Sequence, residues 1–365
     1  MKALVHRLPA AAPQDVSALH QAIEAGRIDP ARIVAVLGKT EGNGCVNDFT
    51  RGYATSALKH AIAERLGQTP AQVEQRVAFV MSGGTEGGLS PHWIVFEVRD
   101  APAPPPGARK ALAIGVAFTP VFTPEEVGRQ TQVAATADAV RRAMAAAQIA
   151  GPADVHYVQV KCPLLTKARI AEAAARGRTV ATHDTYVSMG YSRGASALGV
   201  AQALGEIGAV DDAAICADLA LYSGVASTSA GIELMENQVM VLGNSAAWSS
   251  ELVIGHGVMK DAIDVAAAGT ALAAVGLTPQ AQLDEAQRGR IAAVLCKAEP
   301  SQTGLIRGRR HIMLDDSDIH ASRHARALVG GVLAGVFGDT QLFVSGGAEH
   351  QGPDGGGPIA VIAQS

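Results

Sequence analysis

The sequence predicts a mixed α/β chain built from three homologous repeat units of α/β or α+β character, closed around an internal pseudo-threefold axis and one central site. Three observations carry that prediction. A five-residue turn headed by serine and ended by glutamate occurs as SGGTE (Ser82 to Glu86), SAGIE (Ser229 to Glu233) and SGGAE (Ser345 to Glu349). Upstream of each turn runs a strand-like apolar segment ending in lysine: RIVAVLGK to Lys39, VHYVQVK to Lys161 and RIAAVLCK to Lys297. Between lysine and serine, an arginine opens a helical stretch: RGYATSAL from Arg51, RGASALGV from Arg193 and RHARALVG from Arg323. The order Lys, Arg, Ser is kept three times, with lysine separations of 122 (161−39) and 136 (297−161) residues in a chain of 365.

Taken in order, unit A is expected over 1–104, unit B over 110–248 and unit C over 249–365. The Pro-rich connector DAPAPPPGAR (Asp100 to Arg109) separates the first two, and the second boundary falls softly near NSAAWSS. Apolar runs lead into two of the serine turns (VAFVMS and QLFVS), and a β-like stretch is expected to close each unit: ALAIGVAFT, NQVMVLGNS and PIAVIAQS. TADAVRRAMAAAQ has helical periodicity. Units of this size are too large for a solenoid and suit closure into a ring.

Composition narrows the function classes. The chain is 48% hydrophobic and 18% charged, with 40 glycines and few aromatics, which suits tightly packed α/β layers. A net charge of −4 without any Lys/Arg-rich run argues against nucleic acid as a partner. No apolar run reaches the roughly 18 residues of a membrane span. The opening MKALVHRLPAAAPQD is too interrupted for a signal peptide. Four scattered cysteines without a CxxC pair fit reduced thiols, so a cytoplasmic location is expected. The eleven histidines show no HExxH spacing, and neither a GxGxxG after a strand nor a Walker loop is present.

A closed threefold arrangement would gather three Ser, three Lys and three Arg around one cavity and would match a ligand of threefold symmetry. Arginine offers a planar, permanently charged fork suited to carbonyl edges. A turn of small residues behind a serine exposes backbone amides that can stabilise an oxyanion, worth about 3 kcal/mol per donor. Lysine, ordinarily titrating near 10.4, becomes a base when burial and neighbouring cations favour the neutral amine. A neutral lysine beside serine makes a nucleophilic pair. Taken singly, each motif has a plainer explanation: a glycine turn, a solvated strand-end lysine, a surface arginine. Threefold recurrence favours the functional one. Cys162 and Cys296 neighbour the lysines, but strand alternation should turn them away from the cavity into the core.

These triplicated motifs resemble those of the cyanuric acid hydrolase and barbiturase family, and the resemblance covers the whole chain. It implies hydrolytic opening of a cyclic amide, assembly commonly as a homotetramer and no organic cofactor. Cyanuric acid, a flat ring with three equivalent carbonyls, would lie between Arg51, Arg193 and Arg323 and the turns Ser82-Gly83, Ser229-Ala230 and Ser345-Gly346. The resemblance assigns nucleophile and base to the middle unit, hence Ser229 and Lys161, with Lys39 and Lys297 as supporting cations or ligand contacts. Ser227 also precedes the middle turn, but register against Glu86 and Glu349 selects Ser229. The resemblance further implies a structural Mg2+ or Ca2+ held by Glu299 and loop positions Ala348, Gln351, Gly352, Pro353 and Gly356. Barbituric acid is the rival substrate. A non-catalytic binder of a small planar anion is the rival class. A Ser–Lys amidase for linear amides would have no reason for threefold repetition.

Overall fold

The computed structural model describes residues 1–365. Its framework is three four-stranded sheets of the same connectivity. The first contains β1 (Lys2–Pro9), β2 (Ile33–Thr40), β3 (Ala78–Gly83) and β4 (His92–Arg99), in spatial order β1-β4-β2-β3. The second contains β5 (Ala111–Phe118), β6 (Val155–Cys162), β7 (Ala226–Ala230) and β8 (Gln238–Ser245), ordered β5-β8-β6-β7. The third runs β9 (Leu252–Met259) and β10 (Ile291–Ala298), then a small hairpin of β11 (Leu305–Ile306) and β12 (Arg309–Arg310), then β13 (Phe343–Gly346) and β14 (Gly357–Gln364). Its order, β9-β14-β10-β13, repeats the pattern. In every sheet the lysine strand lies parallel to the serine strand and antiparallel to the closing strand.

Parallel neighbours need a crossover, and helices supply it. The first unit carries α1 (Ser17–Glu24), α2 (Phe49–Leu66) and the short α3 (Pro70–Glu74). The second carries α4 (Gln130–Ala146), α5 (Lys167–Ala175) and α6 (Thr185–Leu204). The third carries α7 (Val265–Ala274), the short α8 (Glu285–Gly289) and α9 (Ala321–Phe337). The arginine-bearing helices α2, α6 and α9 share their punctuation. Asp48, Asp184 and His320 accept backbone N–H groups at the starts, satisfying otherwise orphaned donors. Gly67, Gly205 and Gly338 end them at φ of 62, 73 and 63°, where a Cβ would be strained. The segment expected as TADAVRRAMAAAQ is α4.

One expectation is corrected. ALAIGVAFT does not close the first unit: β4 (His92–Arg99) does so, pairing with both β1 and β2, while Ala111–Phe118 is β5 and pairs with β8. HWIVFEVR carries the apolar run WIVF and begins six residues after Glu86 (92−86), so the connector separates two strands of different sheets.

Strand alternation decides what each sheet presents inward. In β2, Ala35 and Leu37 join an apolar core shared by all three sheets, whereas Val36 faces the separate cluster formed with α1 and α2. In β10, Ala293 and Leu295 face the shared core, and Val294 and Cys296 face α7 and α9. Lys39 and Lys297 continue the inward series by one more step of two. The sheets thus aim the lysine-bearing ends of their strands at one common point.

Candidate active site

Register places the three pairs identically. Lys39 is opposite Ser82, Lys161 opposite Ser229 and Lys297 opposite Ser345. All six residues are buried. Lys39 Nζ lies 3.3 Å from Ser82 Oγ, and Lys297 Nζ lies 3.2 Å from Ser345 Oγ. The middle lysine differs: Lys161 Nζ contacts a Glu233 carboxylate oxygen at 2.8 Å, while Ser229 Oγ lies 3.1 Å from Ser345 Oγ.

Each lysine also reaches into another unit. Lys39 donates to the carbonyl of Val344 at 2.6 Å, Lys161 to that of Met81 at 3.1 Å and Lys297 to that of Thr228 at 2.8 Å. Those carbonyls immediately precede Ser345, Ser82 and Ser229, so the contacts close a ring. The arginines run in the opposite sense. Arg51 donates to Ala230 O at 2.9 Å. Arg193 forms a two-pronged pair with Glu349 at 2.7 and 2.6 Å, and Arg326 forms one with Glu86 at 2.8 and 2.6 Å.

Arg326 corrects the sequence expectation of Arg323. Arg326 is buried, and with Arg51 and Arg193 it lines a small central cavity together with Ser82, Ser229 and Ser345. Gly83, Ala230 and Gly346 line it as well. Arg323, one helical turn earlier, is 44% exposed, touches Glu86 from outside at 3.2 Å and does not line the cavity. Spacing gives no common signal: Arg193 and Arg326 each precede the terminating glycine by 12 residues (205−193, 338−326), but Arg51 precedes Gly67 by 16 (67−51). The turn glutamates were read only for register, although all three units carry one; two of them orient the arginines. A wider vestibule of about 350 Å3 shares Gly44, Met189, Arg193, Arg326 and Gly346 with the central cavity. Its other walls come from the second and third units, including Tyr186 and His320, hydrogen-bonded at 2.8 Å.

Clustered cations with buried amines change protonation. Burial pushes Lys39 well below the usual lysine range, and Arg326 adds to the effect. Burial, then Arg193, bring Lys297 down to about 7. Burial lowers Lys161 too, but Glu233 opposes the shift while Arg51 assists it. Burial would raise Glu349 and Glu233, yet Arg193 holds the first, and Lys161 with Arg51 the second, down to about 2. Cys296 belongs to the outer cluster and Cys162 faces Ser192 and Ser196 of α6; burial raises both thiols, so neither serves the cavity as a thiolate.

The expected cation positions lie beside this site. Glu299 is half-buried, its shielded Oε2 has no hydrogen-bond partner, and desolvation followed by Glu349 pushes its carboxyl up to about 7. Glu299, Ala348, Gly352 and Pro353 line a shared pocket. Gln351 and Gly356 do not line it, and the Gln351 side chain is committed elsewhere, accepting from Thr228 N at 2.6 Å and donating to Gly347 O at 3.1 Å.

A fold of three concatenated sheets that converge on one cavity lined by arginine and serine, with a lysine opposite each serine in register, defines a hydrolase type. The family described as amidohydrolase ring-opening protein matches residues 4–364, and the chain belongs to that family. A cyanuric acid amidohydrolase of Ectopseudomonas oleovorans is 63% identical, with both chains covered completely. One of Enterobacter cloacae is 56% identical, again over the full length of both. Among solved structures, a cyanuric acid hydrolase described as an innovation by structural concatenation superposes with a TM-score of 0.95 at 53% identity, covering 100% of this chain and 99% of the other. The cyanuric acid hydrolase of A. caulinodans gives 0.91 at 57% identity with the same coverage. No helix is long and apolar enough to cross a membrane.

Proposed function

We propose that the protein hydrolyses cyanuric acid to carboxybiuret, which loses CO2 to give biuret, using Ser229 as nucleophile and Lys161 as base. The observation that carries this reading is the small cavity lined in threefold repetition by arginine, serine and small turn residues. A ring with three equivalent carbonyls is the ligand that can use all three sets at once. The names of the full-length relatives support the same substrate. Barbituric acid keeps three carbonyls but replaces one ring nitrogen by carbon, so it fits this repetition less well.

In acylation, neutral Lys161 takes the Ser229 hydroxyl proton as Oγ bonds to a ring carbonyl carbon. Turn amides and arginine receive the developing oxyanion, in a site too dry for water to screen them. The ring C–N bond then breaks, its nitrogen takes the proton from Lys161, and an acyl-enzyme remains. Water, deprotonated by the same lysine, releases carboxybiuret and restores Ser229. A competing assignment rests on a specific observation: Ser82 and Ser345 already touch their lysines, whereas Ser229 does not.

Separate Ser→Ala variants at 82, 229 and 345 distinguish the readings. We expect Ser229→Ala to abolish biuret release from cyanuric acid while the ring still binds. Retained turnover there, with loss in Ser345→Ala or Ser82→Ala, would overturn the assignment. Ureidomalonate release from barbituric acid at a higher kcat/KM than biuret release would favour the rival substrate.

A divalent cation fits Glu299. A half-buried carboxylate with one unpaired oxygen, sharing a pocket with Ala348, Gly352 and Pro353, could offer with their backbone carbonyls the hard oxygen donors that Mg2+ and Ca2+ accept. The ion would supply charge compensation and brace the loop behind Glu349.

A further inference from the structure

Because three copies can be compared, departures from the repeat stand out. In the outer units the turn glutamate leaves its own unit: Glu86 receives Arg326, and Glu349 receives Arg193. The same rule would send Glu233 to Arg51. It turns back instead, and its carboxylate pairs with Lys161 Nζ of its own unit at 2.8 Å. The backbone departs as well. Gly84 and Gly347, the third residues of the outer turns, have φ of 107 and 77°, whereas Gly231 lies outside the positive-φ region. A Cβ at Gly231 would meet Glu233 Oε2 at 2.2 Å, so glycine there leaves room for the folded-back carboxylate.

A second departure holds the first in place. Only the middle unit inserts a helix of two turns or more, α5, between its lysine strand and its arginine helix. From α5, Arg169 donates to Ile232 O at 2.9 Å and to Leu234 O at 3.3 Å, gripping the turn on both sides of Glu233. Its other nitrogen donates to Leu164 O at 2.7 Å, tying that grip to the segment just after Lys161.

We infer that Glu233 is the positioning residue of the middle unit: its carboxylate orients Lys161 and stabilises the ammonium formed when Ser229 gives up its proton, with Arg169 bracing the turn. This rests on Ser229 and Lys161 being nucleophile and base. Glu233 takes no proton. As the Ser229 O–H bond breaks and the Oγ–C bond forms, the proton moves to Lys161 Nζ and the ammonium stays paired with the carboxylate. The proton then passes to the ring nitrogen as the C–N bond breaks. The role matches that of the carboxylate in a Ser-His-Asp triad, which holds the base in orientation and stabilises its charged form. It also accounts for one of three look-alike pairs being singled out.

The charged and titratable groups facing Lys161 are Glu233, Arg51 and Cys162; those facing Glu233 are Lys161, Arg51 and Arg169. Glu233 favours the ammonium, so removing its charge lowers the lysine's pKa. The limb on which rate rises with pH then moves to lower pH.

Glu233→Gln, Glu233→Asp, Glu86→Gln and Glu349→Gln are compared by steady-state kinetics on cyanuric acid across pH, with Lys161→Ala and Ser229→Ala alongside. We expect Glu233→Gln to lower kcat by on the order of 10²- to 10⁴-fold, with KM changed less than about threefold and the rising limb displaced downward. Glu233→Asp keeps the charge and recovers part of kcat without moving the limb, which preserves the test should the amide variant fold poorly. Glu86→Gln and Glu349→Gln act through the arginines and change chiefly KM. An unmoved limb in Glu233→Gln, or a change in KM alone, while Lys161→Ala and Ser229→Ala are inactive, overturns the role of Glu233. Turnover retained by Lys161→Ala or Ser229→Ala overturns the underlying assignment instead.

Discussion

Arg326 is held flat by two hydrogen bonds to Glu86, which leaves the rest of its guanidinium beside Gly44 and Gly346 at the cavity wall. Arg323 reaches the same glutamate from the solvent side. If the cavity takes its ligand by carbonyl edges, only the buried arginine contributes charge-assisted bonds, each worth about 1.5–3 kcal/mol. Arg326→Met should therefore lower kcat/KM roughly 10- to 100-fold, and Arg323→Met should change it little; equal losses would show that both arginines serve the ligand. The lysines and serines were legible from sequence because the same order recurs in three copies, each lysine at the end of an apolar run and each serine at the head of the same turn. The third arginine was not, because a helix permits several offsets and RHAR presents two candidates one turn apart. Counting back from the terminating glycine does not resolve it, because Arg51 lies 16 residues before Gly67 (67−51) and Arg193 only 12 before Gly205 (205−193).

At the scale of elements, the repeats are legible wherever the backbone pattern is obligatory and obscure where loops decide. The crossover helices and lysine strands follow from periodicity, and so does the outward turn of Cys296. Assigning ALAIGVAFT to the wrong unit arose because two apolar strands flank the Pro-rich connector, and periodicity alone does not tell which sheet each joins. The partnership of Glu233 with Lys161 depends on one turn's φ and on the α5 insertion, neither of which has a composition signal. The loop after Ser345 is another such element. It carries Gly352, Gly355 and Gly357 at positive φ and shares a pocket with Glu299, whose Oε2 is unpaired. Protein purified without chelator should contain about one Mg2+ or Ca2+ per chain by atomic emission, and Glu299→Gln should lose it and melt at lower temperature. Metal-free protein with an unchanged melting temperature after chelation would remove the cation from the account.

For the whole molecule, stability depends on the seams between sheets. His156 of β6 and His256 of β9 meet across one seam with their Nδ1 atoms 2.8 Å apart. Burial lowers both; for His156, burial and then His256 bring the pKa to about 4, against the raising influence of Asp154. Folded-state values below the ordinary 6.5 mean that the neutral pair contributes fully above that pH and loses its contribution as pH falls towards 4. Melting temperature should thus fall more steeply between pH 6.5 and 4 in the parent protein than in a His156→Gln/His256→Gln variant; parallel slopes would show that the seam does not sense acid.

The ring of lysine-to-carbonyl bonds has a consequence for how such a chain tolerates change. Three near-copies suggest redundancy, as though one could lapse while its siblings carried on. Yet each lysine rests on the strand of another copy, so damage to any serine strand unsettles an amine elsewhere in the polypeptide. Duplication here has produced mutual dependence, and the spare parts are not spare.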